Sequence, residues 1–253
     1  MTKRILQILS LLILVSVTPA MASGGGVEIP KQSWPHKGWS GTYDKAALQR
    51  GFQIYRESCS SCHSMKRLSY RNLVDIGFTA AEVKAVSAEY TVMDGPNDEG
   101  EMFERAAKPS DFFVSPFAND NAARYANNGA LPPDMSLLVK ARTGGEDYIF
   151  ALLTGYKPAP EGAEIMEGMS WNTYFPGHAI AMTPPLADGQ ITYSDGTSAS
   201  LEQAARDVSQ FLAWASEPHM EKRKRMGSKV LFFLVILCGV LYASKRKLWA
   251  NVK

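Results

Sequence analysis

Cys59-Ser60-Ser61-Cys62-His63 is the stretch on which the rest of this sequence turns. Two thiols separated by two residues, with an imidazole directly after, form the attachment signature of a c-type haem. The chemistry accounts for the spacing. Each thiol adds across a porphyrin vinyl group as a thioether, one turn of chain spans the pair, and His63 is left beneath the macrocycle to ligate iron. Two other uses of a CxxC pair fit poorly. A thioredoxin-like pair opens a helix after a strand, whereas Asp44 to Glu57 places Ala47, Leu48, Gly51, Phe52 and Tyr55 at helical spacing ahead of Cys59. A structural zinc site needs four ligands, and the third cysteine, Cys238, lies far off in an apolar run.

Outward from the motif, both ends of the chain meet a membrane. Lys3 and Arg4 precede an apolar run from Ile5 to Val17, and Ala20-Met21-Ala22 supplies small residues at the positions a signal peptidase reads. Residues 1–22 are therefore expected to be a signal peptide, with a mature chain starting near Ser23; the run is short for a permanent anchor. Near the other end, Val230 to Ala243 carries no charge. As helix it covers ~21 Å, less than the ~30 Å hydrocarbon core. Lys229 and Lys245 can snorkel from its ends, and Tyr242 and Trp249 suit an interface. Basic clusters on both flanks argue against a buried core helix. The expected order is a signal peptide (1–22), an exported haem c domain (23–220), a basic juxtamembrane linker (221–228), a transmembrane helix (229–245) and a cytoplasmic tail (246–253). Basic residues on both sides leave the positive-inside rule undecided, so the signal peptide sets the orientation.

This geography changes the meaning of the charge. The chain has a net charge of +2, but residues 23–220 hold 16 basic against 24 acidic residues, a net of −8. An acidic exported domain disfavours nucleic acid and suits a basic partner. With one closely spaced cysteine pair outside the apolar run, a disulfide-stapled scaffold is excluded.

The sixth iron ligand is open on residue types alone. His36 and His219 lie at the edges of the exported stretch, and His178 is a true competitor. Among the methionines, Met182 is followed at once by Thr183 and then Pro184-Pro185, which would stiffen the chain behind its thioether. A Met ligand raises haem potential, yet most Met side chains are core filler.

From Trp34 to Trp249 the chain resembles cytochrome c1, the haem subunit of the cytochrome bc1 complex. The resemblance rests on CSSCHSM, on DGPNDEGEMFER (Asp94 to Arg105), on ARYANNGALPPDMS (Ala123 to Ser136), on GGEDYIFALLTGY (Gly144 to Tyr156), on NTYFPGHAIAMTPPL (Asn172 to Leu186) and on RKRMGSKVLFFLV before the anchor. It implies one haem c bound by Cys59 and Cys62, with His63 and Met182 as axial ligands and Arg124 beside a propionate. It also implies a place between a Rieske iron–sulfur protein and a soluble cytochrome c, next to cytochrome b, in a cytoplasmic membrane with the haem domain periplasmic. A free-standing anchored cytochrome c, or the haem subunit of a terminal oxidase, is the alternative setting. One departure stands out: some bacterial relatives brace the region before the methionine with an extra cysteine pair, and this chain has none.

The expected fold is mainly α, a c-type cytochrome haem domain with long loop insertions plus one C-terminal transmembrane helix. Helices are expected over about Asp44 to Arg56, Gly145 to Leu153, and Leu201 to Ala215, the last with a capping box from Ser200 and Gln203. Gly51 would permit close crossing of the first and last. His63 and Met182 stand 119 positions apart, across turn signals at DGP, NNG, LPPD and YKPAP. A short hairpin is expected near Gln190 to Ser198, around Asp195-Gly196.

Overall fold

The computed structural model describes residues 27–251; the expected signal peptide, 1–22, lies outside them. The fold is mostly helical with little sheet. Helix α1 (Lys45–Ile54) begins where the Asp44 carboxylate accepts the N–H groups of Ala46 and Ala47. It runs without a break into a π-helical turn, Tyr55–Cys59, in which the N–H of Ser60 bonds the carbonyl of Tyr55. The added residue of a π-turn re-aims the chain beyond it, and here it delivers the two cysteines.

A 3₁₀ segment (Tyr70–Ile76) and helix α2 (Ala80–Ala88) come next. Thr79 and Glu82 form a reciprocal capping box at α2. Strands β1 (Thr91–Asp94) and β2 (Phe103–Ala106) pair antiparallel, Thr91 opposite Ala106 and Asp94 opposite Phe103. Helices α3 (Asp120–Ala126) and α4 (Glu146–Thr154) are followed by β3 (Ser170–Trp171), which pairs antiparallel with β4 (Ala179–Ile180). Helix α5 (Leu201–Ser216) and the long α6 (Met220–Trp249) complete the order.

The core is the crossing of α1 over α5. A Cβ on Gly51 would stand 2.3 Å from the Asp207 carbonyl oxygen and 2.6 Å from Phe211 Cβ, so only a hydrogen fits where the backbones meet. Phe52, Tyr55, Phe211 and Trp214 are buried around that point. Ring centroids lie 5.7 Å apart for Phe52 and Phe211, and 5.9 Å for Tyr55 and Phe211. Each such side chain contributes roughly 1.5–3 kcal/mol by leaving water. Arg50 locks the crossing with a bidentate grip on the fully buried Asp207, at 2.7 and 3.1 Å, and reaches Asp195 at 2.8 Å. Packing of α4 against α5 extends the core toward Trp34, whose indole donates to Asp147 at 2.6 Å.

Two expectations change in detail. Ser200 accepts from the Gln203 N–H at 3.2 Å, but the Gln203 side chain turns to Asp207, so half of the expected box forms. No strand pair occupies Gln190 to Ser198. That segment is a loop closed by Gly189 N–H on the Ala199 carbonyl, and Asp195 is spent on Arg50 and on the Thr197 N–H. Long-range bonds replace the cross-strand ladder that Asp195-Gly196 led us to expect.

Helix α6 has 30 residues, about 45 Å, and is long and apolar enough to cross a membrane. Its apolar side chains, among them Phe232 and Val235, are exposed along the chain. The basic segment 221–228 is helical and continuous with the apolar run. It is also fastened to the domain. Lys224 Nζ donates to the carbonyls of His36 and Gly41 at 2.7 and 2.8 Å, Glu221 accepts the Tyr43 N–H at 2.8 Å, and Glu217 pairs with Lys140 and Arg223.

Candidate haem-binding site

Cys59 closes the π-turn and is buried; Cys62 is exposed. The N–H groups of Cys62 and His63 both bond the Cys59 carbonyl, at 3.2 and 2.9 Å, which puts both thiols and the imidazole on one turn. Burial pushes the Cys59 thiol up to about 12. The pair sits at the carboxyl end of a helix, whose partial negative charge disfavours a thiolate. A thiol-exchange enzyme needs the reverse, a lowered pKa at a helix start.

The His63 ring is oriented by its Nδ1, 2.9 Å from the Pro133 carbonyl. A ring N–H there fixes the tautomer and leaves Nε2 as the lone-pair nitrogen, the arrangement in which a histidine serves a metal. Burial lowers the His63 pKa, against smaller opposing effects from the Pro133 carbonyl and Asp134, so the neutral, ligating form is favoured. Pro133 is held in place by its neighbours. Asp134 accepts from Ser64 Oγ and the Lys66 N–H, both at 2.9 Å, the Met135 N–H bonds the Ser64 carbonyl at 2.8 Å, and Ser136 Oγ accepts the Arg67 N–H at 3.0 Å. Burial opposes ionisation of Asp134, but these donors outweigh it and hold the carboxyl below its usual range. The segment Pro133–Ser136 is thus clamped along His63–Arg67. A cavity of about 220 Å³ opens beside the clamp, lined by Cys62, Lys66, Phe117, Ala123 and Pro133 among others.

Met182 is carried on a different segment, the loop after β4. It is half-buried, and its carbonyl accepts from the Tyr156 hydroxyl at 3.0 Å. It lines neither the cavity nor any hydrogen bond to the cysteine turn. His178, its rival, is a loop residue at φ +62°; its ring stacks on Trp171 with centroids 4.7 Å apart, and its Nδ1 faces the Asn172 carbonyl at 3.2 Å. Arg124 lies in the last turn of α3, exposed, with Nη1 on the Gly129 carbonyl at 3.2 Å. No acidic partner holds it among the described residues, so donors remain for an anion. Its neighbour Ala123 lines the cavity that Cys62 lines.

The donor set suits a covalently attached haem. Two thiols share a turn with an imidazole whose outer nitrogen is already engaged, and a thioether is carried on a separately anchored loop. Sequence reasoning missed Pro133 and Asp134 as supports of His63, and Asn172 and Tyr156 as supports of the Met182 loop. LPPD reads only as a turn, and a proline carbonyl carries no side-chain signal of its role.

The Cytochrome C1 family matches residues 34–252. Cytochrome c1 of Rhodospirillum rubrum is 49% identical over 250 residues, covering 92% of this chain and 92% of that protein. The potato protein cytochrome c1-2, heme protein, mitochondrial, is 49% identical over 238 residues, 94% of this chain and 92% of its own length. Cytochrome b/c1 of Bradyrhizobium diazoefficiens is 45% identical over 95% of this chain, which spans 38% of that longer protein. This chain belongs to the cytochrome c1 family.

Proposed function

We propose that this protein is the membrane-anchored haem subunit of a cytochrome bc1 complex, taking single electrons from a Rieske iron–sulfur protein and passing them to a soluble cytochrome c. When bound, the haem supplies a one-electron iron couple. Cys59 and Cys62 would hold it covalently, so that it is retained in an exported compartment, and His63 and Met182 would supply the protein ligands to its iron. The observation that carries this reading is the His63 Nδ1 contact with Pro133, beside two thiols on one turn. Arg124 has guanidinium donors to spare for a propionate.

The chain performs no bond chemistry in this role. It orients the ligands, excludes water from Cys59 and the packed core, and presents a surface to its partners. Family membership and the relative named cytochrome b/c1 support cytochrome b as a neighbour. The length of α6 supports a single membrane pass; the secretory signature expected over residues 1–22 is the basis for reading the membrane as the cytoplasmic one, with residues 23–220 periplasmic and 246–253 cytoplasmic.

A pyridine haemochrome spectrum of the purified membrane complex, together with its subunit composition, tests the proposal. The expected result is one haem c on this chain, co-purifying with cytochrome b and a Rieske protein. A chain without haem c would end the reading; a haem c chain found with oxidase subunits would move it to the terminal-oxidase setting.

A further inference from the structure

We propose that Asn172 is a positioning residue, the clasp that holds the Met182 loop on the end of α4. The proposal rests on Met182 being an axial haem ligand. Asn172 is fully buried, ten residues before Met182. Its side chain uses both ends. Nδ2 donates to the Leu152 carbonyl at 2.7 Å, one of the last-turn carbonyls of α4. Oδ1 accepts the N–H groups of Tyr174 and Phe175 at 3.0 and 3.2 Å, which shapes the start of the loop. Its backbone N–H bonds the His178 carbonyl at 2.8 Å and closes the loop on itself.

The seating is close. A Cβ on Gly155 would lie 2.9 Å from Asn172 Oδ1 and 2.6 Å from Tyr174 Cδ2, while the Thr173 N–H bonds the Gly155 carbonyl at 2.9 Å. One residue on, the Tyr156 hydroxyl reaches the carbonyl of Met182 itself. Between these ties, β4 pairs Ile180 with Ser170. The backbone leading to Met182 is therefore fixed at its origin to the end of α4, where Asn172 supplies the bonds, and at Met182 to Tyr156 just beyond that helix. A thioether is a weak ligand that stays on iron only if its loop cannot drift. Removing a buried amide that satisfies three backbone groups leaves those groups unpaired.

The test uses the full chain in its membrane complex, with Asn172→Ala, Tyr156→Phe and, as a control at the α6 junction, Tyr43→Phe. Haem content is read from the pyridine haemochrome spectrum. Ligation is read from the red charge-transfer absorption of a thioether-bound ferric haem, from carbon monoxide uptake by the ferrous haem, and from the midpoint potential. With haem retained, Asn172→Ala is expected to raise the carbon-monoxide-reactive fraction at least about tenfold, weaken the red absorption and lower the potential. Tyr156→Phe should show a smaller part of the same shifts, and Tyr43→Phe none. If Asn172→Ala does not assemble, Tyr156→Phe decides, because it removes a single bond to Met182. Ligation signals left unchanged in the variants, even with reduced thermal stability, would overturn the inference while the haem assignment stands. A wild-type chain that holds haem c without a thioether signal would overturn the Met182 assignment instead.

Discussion

At the scale of single residues, the site separates attachment from tuning. Under the proposed ligation, Cys59 and Cys62 retain the cofactor, whereas Met182 sets its potential. Met182→Leu removes the thioether but keeps the side-chain volume near constant. The midpoint potential should fall by on the order of a hundred millivolts, well inside the ~0.8 V range axial ligands span, while the haemochrome spectrum stays that of haem c. An unchanged potential would reassign the ligand to His178. Glu146 has a different residue-scale role. It is buried, with Oε1 3.0 Å from His36 Nε2 and 2.7 Å from Lys37 Nζ. Burial pushes its pKa up, but the His36 and Lys37 bonds outweigh that and bring it to about 2. The unfolded chain has the ordinary glutamate value of about 4.3, so the folded state holds its proton less tightly. The resulting stabilisation, on the order of 2–3 kcal/mol, is complete above about pH 5 and is lost as pH falls toward 2. Glu146→Gln should be less stable than wild type at pH 7, and the gap should narrow in denaturant titrations at pH 3. A gap that does not depend on pH would show that the charge is not what matters.

Among the elements, the decisive contact is the crossing of α1 and α5. Gly51→Ala pushes a methyl into the Asp207 carbonyl and Phe211. It should cost about 1–3 kcal/mol, roughly 3–10 °C in thermal midpoint for a domain this size, and loosen the approach to the cysteine turn as well. Calorimetry on the intact chain would measure it; an unshifted midpoint would mean the helices separate without penalty. This crossing was legible beforehand, since Gly51 lies among Leu48, Phe52 and Tyr55 at helical spacing and α5 carries a matching apolar face. The haem motif and the membrane-length helix were legible too, because each is a local pattern. What escaped was non-local. The clamp of Pro133–Ser136 on His63–Arg67 joins side-chain and backbone groups about seventy residues apart in sequence. The Asn172 clasp joins a loop to a helix end twenty residues upstream. The β1–β2 hairpin has four-residue strands whose TVMD and FERA hardly alternate, and the loop around Asp195 looked like a hairpin only because Arg50 could not be foreseen as its partner.

For the whole molecule, charge and topology combine. The stretch 23–220 carries a net of −8, and α6 is tied to it by Lys224 and Glu221 instead of hanging on a flexible linker. Under the proposed function, an acidic surface held at a set orientation to the bilayer would steer a basic carrier. Within that stretch, the hairpin segment Asp94 to Arg105 concentrates five acids against one arginine. Its five acids are not equivalent. Asp94 is ion-paired with Arg105, which also grips Asp111 at 2.6 Å, and both carboxyls are held below their usual range, chiefly by the Arg105 hydrogen bonds. Asp98, Glu99, Glu101 and Glu104 are exposed and have no cationic partner among the described residues. If the hairpin steers, Glu99→Lys with Glu101→Lys should slow the second-order reduction of a basic cytochrome c severalfold at low ionic strength. The wild-type and variant rates should converge as salt shortens the screening length below ~10 Å. Asp94→Asn should slow that rate far less, because it removes one charge from a cluster in which Arg105 already offsets one of two carboxylates, and should instead loosen the base of the hairpin, seen as faster amide exchange over β1 and β2. Stopped-flow rates across a salt series measure the first effect. A wild-type rate indifferent to salt, or an Asp94→Asn rate as low as that of the double lysine variant, would return the hairpin to the status of a solvated loop and leave the carrier's docking face to be sought elsewhere on the domain.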